Sequence, residues 1–91
     1  MENKQEIIKH ILNKDTVFFS KMYSNHKDVL KNIAFKLTGS DINAENLIYS
    51  TFKELWDSPL SFKDSNEKQV STYLIKKLIY KYYFYQRTNK R

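Results

Sequence analysis

The stretch that decides the fold is Asn43 to Asp57, NAENLIYSTFKELWD. Ala44, Leu47, Ile48, Thr51, Phe52, Leu55 and Trp56 fall at the spacing i, i+3, i+4, i+7, i+8, i+11, i+12 without a gap. That is the one-sided apolar stripe of an amphipathic helix. Each large member, fully buried, contributes about 1.5–3 kcal/mol. The opposite side carries Glu45, Asn46, Tyr49, Ser50, Lys53 and Glu54 and is expected to face solvent or a partner.

On its N-terminal side, Thr38-Gly39-Ser40-Asp41 separates this helix from a longer one. Gly39 is the only glycine and stands where a helix C-cap uses one. Ser40, Asp41 and Asn43 each offer an oxygen to cap the helix over 43–57. Over residues 16–37, Phe19, Met22, Tyr23, His26, Leu30, Ile33 and Leu37 recur at steps of three or four. Phe18, Val29 and Ala34 widen that stripe, and the spacing predicts a helix of about six turns. Asp15 or Thr16 caps it. Ile7, Ile8, Ile11 and Leu12 give a short first helix over 3–12.

On the C-terminal side, residues 57–66 read as the one true loop. Pro59 prevents continuation of the helix before it, while Leu60 and Phe62 are expected to tuck onto the core. A last helix over 67–87, capped by Ser65 or Asn66, turns Val70, Tyr73, Leu74, Leu78 and Tyr82 inward. Four amphipathic helices with short links imply an all-α, compact four-helix bundle. One Gly and one Pro are too few for a turn-rich β fold.

Ninety-one residues make one small domain, spanning 1–91. There is no Cys, so no disulfide framework or thiolate metal site supports it. The apolar fraction of 41% suffices for a core. No apolar run reaches membrane-spanning length and the N-terminus lacks a signal-peptide core, so the simplest compartment is the cytoplasm.

The charge is polarised. Up to Ile75 the ten lysines balance ten acids; the whole net charge of +6 lies in the last sixteen residues. Between Val70 and Arg91 there are six cations, no acid and six aromatics. Tyr80, Tyr83, Phe84 and Tyr85 cannot all face inward on one helix. Cations interleaved with exposed rings suit phosphates and unstacked bases.

No catalytic set is apparent. His10 and His26 have no carboxylate or second histidine at metal-ligand spacing on their own helices. No glycine-rich phosphate loop exists, and no Ser or Thr has a His–Asp partner set. Asp41 and Glu45 are explained by capping and dipole compensation. An enzyme is not expected, and neither a cofactor nor a metal is.

Three stretches carry a resemblance. Lys14 to Phe19, followed by Met22, Tyr23 and His26, resembles the opening pattern of region 2 of bacterial RNA polymerase sigma factors of the extracytoplasmic-function group. Ala44 to Trp56 is similar to that family's AEDLVQETFLRLW-type helix. Tyr73 to Ile79 onward resembles its WL-xx-IA-R-N-type helix, which ends in a basic run. The likeness extends from about Ile8 through nearly the whole chain.

The resemblance implies a helical domain with two surfaces, acting in transcription initiation. The third helix would grip the clamp-helix coiled coil of the largest subunit of core RNA polymerase, through Glu45, Asn46, Tyr49, Ser50 and Lys53. Where the family pattern has an acid, Gln and Glu, this chain has Asn46, Tyr49 and Ser50. The last helix and the loop before it would recognise and melt the promoter minus-ten element and hold single-stranded promoter DNA. Lys76, Lys77, Lys81 and Arg87 would meet phosphates, and Tyr80, Tyr83 or Phe84 would stack on unpaired bases. Residues 60–64, with Phe62 and Lys63, would form the base-selecting loop. The ending QRTNKR resembles the start of an interdomain linker, favouring a fragment of a longer sigma factor over a lone domain. The alternative is a diverged protein-interaction module without DNA binding, paired with an anti-sigma factor or with a second copy of itself.

Overall fold

A computed structural model describes residues 3–89, with side chains described for residues 3–86. Among the described residues five helices follow one another: α1 (Lys4–Leu12), α2 (Thr16–Thr38), α3 (Asp41–Asp57), α4 (Pro59–Asp64) and α5 (Val70–Asn89). The all-α class is as expected from the sequence; no strand occurs among the described residues.

Each boundary has a local cause. Asn3 Oδ1 accepts the Glu6 N–H at 2.8 Å and starts α1. Asp15 Oδ1 accepts the Phe18 N–H at 3.0 Å and starts α2. Its other carboxylate oxygen lies 3.0 Å from His10 Nδ1, and the His10 ring stacks on Phe18. The Phe18 N–H, then His10, hold the Asp15 carboxyl below its ordinary range. The α1–α2 corner is thus tied by one side chain facing both helices. Gly39, at φ 70°, ends α2 by donating its N–H to the Phe35 carbonyl at 2.7 Å. Ser40, rather than Asp41 or Asn43, caps α3, its Oγ accepting the Asn43 N–H at 3.2 Å.

Two sequence expectations are corrected downstream of α3. Residues 59–64 form a helical turn and not a loop. Pro59 stops α3 but opens α4, because its fixed φ and missing N–H suit a first helical position. The last helix begins at Val70, not at Glu67. Ser65 and Asn66 therefore lie too far upstream to cap it; Ser65 Oγ instead accepts the Glu67 N–H at 3.3 Å within the connecting turn. The four-helix count becomes five for the first of these reasons alone.

The core gathers Ile7, Ile8 and Ile11 of α1, Met22, Leu30 and Ala34 of α2, the α3 stripe, and Val70, Tyr73, Leu74 and Leu78 of α5. Every α3 stripe residue from Ala44 to Leu55 is buried, including Thr51, whose hydroxyl donates back to the Leu47 carbonyl at 2.8 Å. Trp56 is only partly covered. α3 packs chiefly on α2, α1 lies over α4, and α5 runs against α3 and α2. Phe62 is sealed in the core as expected, but Leu60 on the same turn is half exposed. Leu12 and Val29, read as parts of apolar faces, are also more than half exposed.

Candidate nucleic-acid and protein interface

α5 divides along its length. Its first half is a core helix: Val70, Tyr73, Leu74 and Leu78 are buried and fix its rotation. That rotation forces the aromatics further on outward. Tyr80, Tyr83, Phe84 and Tyr85 are 63%, 58%, 53% and 60% exposed. Tyr80 and Phe84, one turn apart, lie with centroids 6.2 Å apart and planes within 17°. Tyr83 instead meets Tyr82 edge-on at 5.2 Å. Gln86 Nε2 donates to the Tyr82 hydroxyl at 2.8 Å and holds that ring against the bundle.

The lysines of α5 are not a bare cationic row, as the sequence suggested. Lys77 Nζ lies 2.8 Å from Glu54 Oε2 and Lys81 Nζ lies 2.8 Å from Glu54 Oε1. One α3 carboxylate thus bridges two α5 cations, and all three side chains are about one-third exposed or less. Burial alone would raise the Glu54 carboxyl, but the hydrogen bonds from Lys77 and Lys81 outweigh it and hold it low. The hydrogen bond to Glu54 likewise raises the Lys77 ammonium. Lys76, well exposed, pairs with Glu67 in the turn before α5. Lys77 also stands 5.9 Å from the Tyr80 ring centroid and 6.0 Å from that of Tyr73. The Arg87 side chain lies outside those described.

Phe62 is absent from any surface. Its ring is 0% exposed, packs on Tyr73 at 4.8 Å and lies under Lys4 Nζ at 4.9 Å. It is a core residue and not a base-selecting one, because the helical turn of α4 rolls it inward. Lys63, its neighbour, is exposed. Lys4 was missed by the sequence reading. Its ammonium donates to the Ser65 and Glu67 carbonyls at 2.9 and 2.8 Å, tying the turn between α4 and α5 to α1. No periodicity links a lysine near the N-terminus to carbonyls more than sixty positions on. Glu54 was assigned to the exposed face of α3; the available signal was its position seven residues after Leu47, at the edge of the apolar stripe.

The five residues expected to meet polymerase share the outer face of α3. Glu45 pairs with Lys31 of α2 at 3.2 Å, and Lys53 pairs with Asp57 at 2.8 Å. Tyr49, 64% exposed, stands on a ridge between two grooves. On one side, Asn46 and Ser50 line a groove of about 450 Å³ with Tyr82, Tyr85 and Gln86 of α5. On the other, Tyr49 and Lys53 border an apolar groove of about 550 Å³ floored by Phe19, Tyr23, Phe52 and Trp56. Lys14, itself at φ 58°, lays its ammonium 4.6 Å from the Trp56 ring.

Among the described residues no group of three or more His, Cys, Asp or Glu could hold a metal ion, and no helix is long and apolar enough to cross a membrane. No curated protein and no solved structure matches the chain. A family model, Sigma-70 region 2, matches residues 22–91. The matched segment opens at Met22 inside α2 and takes in α3, α4 and α5, so the outer face of α3 and the aromatic face of α5 fall within it, while Phe19 of the apolar groove lies before it. The chain belongs to the sigma-70 region 2 family, whose domain serves core RNA polymerase binding and promoter recognition in transcription initiation.

Proposed function

We propose that α3 docks this domain on the clamp helices of core RNA polymerase while α5 holds the melted non-template strand of the minus-ten element. Two features support this division of labour. The outer face of α3 offers an exposed tyrosine flanked by an apolar groove, a form suited to a partner helix. On α5, Tyr80 and Phe84 present neighbouring, nearly parallel rings beside Lys76, Lys77 and Lys81. That stacked pair is the observation that carries the proposal, because base–aromatic stacking is the main sequence-tolerant grip on single strands.

The test is fluorescence anisotropy with a labelled AT-rich single strand, alongside the matching duplex, across a salt series. The domain is expected to prefer the single strand and to weaken as salt rises. Tyr80→Ala or Phe84→Ala is expected to lower affinity about ten-fold, within the range of about 1–3 kcal/mol for one lost stacked base. Single-strand binding absent at low salt both from wild type and from a variant whose α5 lysines are freed of their carboxylate partner would remove the DNA half. Co-purification with a clamp-helix fragment, and its loss with Tyr49→Ala, tests the polymerase half.

The paired state of the α5 lysines lends support to a second reading. With their charge offset, four exposed aromatics on one short segment form a surface suited to self-association or to an anti-sigma partner. Sedimentation distinguishes the two: a stable dimer that Phe84→Ala dissociates favours the interaction module.

A further inference from the structure

Two ammonium groups that converge on one point make an anion site, and here that point is already filled. Lys77 and Lys81 each reach one oxygen of Glu54 at 2.8 Å. A carboxylate's two oxygens resemble the two non-bridging oxygens of a phosphodiester in charge and spacing. The lysines, one helical turn apart, are therefore arranged as they would be to straddle a phosphate. The cluster borders the stacking surface, since Lys77 lies 5.9 Å from the exposed Tyr80 ring. Glu54 keeps its side chain about one-third exposed, so solvent and a strand reach it.

We propose that Glu54 is an affinity-setting residue: it stands in for a nucleic-acid phosphate between Lys77 and Lys81, and a bound strand must displace it. The inference rests on the proposal that α5 binds single strands. While Glu54 holds both lysines, their two positive charges present only one net charge to a strand. Displacement frees both for phosphate contact at the edge of the Tyr80–Phe84 stack. Glu54 thereby lowers the resting affinity of the domain for any single strand, so that stable capture depends on a strand held locally, as by a docked polymerase.

The full chain is titrated with a labelled AT-rich single strand at several salt concentrations, as wild type and as Glu54→Gln. Glu54→Gln is expected to bind about three- to ten-fold tighter. Its slope of log affinity against log salt is expected to steepen by about 0.7–1.4, equivalent to one or two further phosphates on a single strand. Adding Lys77→Gln and Lys81→Gln to Glu54→Gln is expected to remove the gain. Cooperative melting by circular dichroism checks that each variant folds; should Glu54→Gln not fold, Glu54→Met, which keeps the packed stem, replaces it. A silent wild type with a binding Glu54→Gln variant supports the proposal in its strongest form. A wild type that binds, with a variant no tighter and no steeper, overturns it and leaves the DNA-binding function standing. Two silent proteins overturn both.

Discussion

Replacing Phe62 with alanine separates the structural role of that ring from the role its sequence position suggested. The ring is 0% exposed, packs against Tyr73 at 4.8 Å and lies under the Lys4 ammonium at 4.9 Å. Truncating such a side chain leaves a cavity bounded by α1, α4 and α5, and Phe→Ala changes in cores destabilise by about 3–5 kcal/mol. The total stability of a domain is about 5–15 kcal/mol. At about 4–8 °C per kcal/mol for a domain of this size, the melting temperature is expected to fall by roughly 12–40 °C. Circular dichroism at the helical minimum reads this directly, with Leu60→Ala on the same turn as a control that shifts little. A Phe62→Ala variant that melts within a few degrees of wild type, yet loses affinity for an AT-rich single strand, would refute the reasoning. It would mean that the ring faces DNA.

Tyr73→Phe is expected to leave stability unchanged or raise it by up to about 1 kcal/mol, because the Tyr73 hydroxyl is buried without a hydrogen-bond partner; chemical denaturation measures it. Gly39→Ala is expected to destabilise by about 1–2 kcal/mol through backbone strain alone, since the residue sits at φ 70° with nothing within 4 Å of an added Cβ; Gly39→Asn is expected to recover part of the loss in thermal melts. The Glu54 carboxyl is depressed in the fold, so its stabilisation is complete above the unfolded-state value and is lost as pH falls through the folded one. Between about pH 5 and pH 3, Glu54→Gln is therefore expected to lose less stability than wild type in parallel denaturant titrations.

Much of the architecture was legible because it is written in local, periodic terms. The α3 stripe, the Gly39 stop and the Asp15 cap each depend on residues close to one another along a single helix. α4 was not legible, because a six-residue helix shows too little periodicity to separate from a loop and Pro59 serves both to stop one helix and to start another. The candidate site divides in the same way. Counting faces on one helix showed that Tyr80, Tyr83, Phe84 and Tyr85 cannot all be buried, and the packed helices expose all four. The state of Lys76, Lys77 and Lys81 did not, since each is set by a carboxylate outside α5.

Taken alone, the order of residues determined the helical class, the rotation of each long helix and the gathering of charge and rings at one end. These are properties of a single helix and of its edges, and hydrophobic spacing with capping chemistry suffices to specify them. Which carboxylate meets which lysine, and whether Phe62 faces strand or core, was decided only when the helices packed together. Those pairings span from nine to nearly sixty positions of chain, and their geometry comes from the packing of buried faces, which no local pattern encodes.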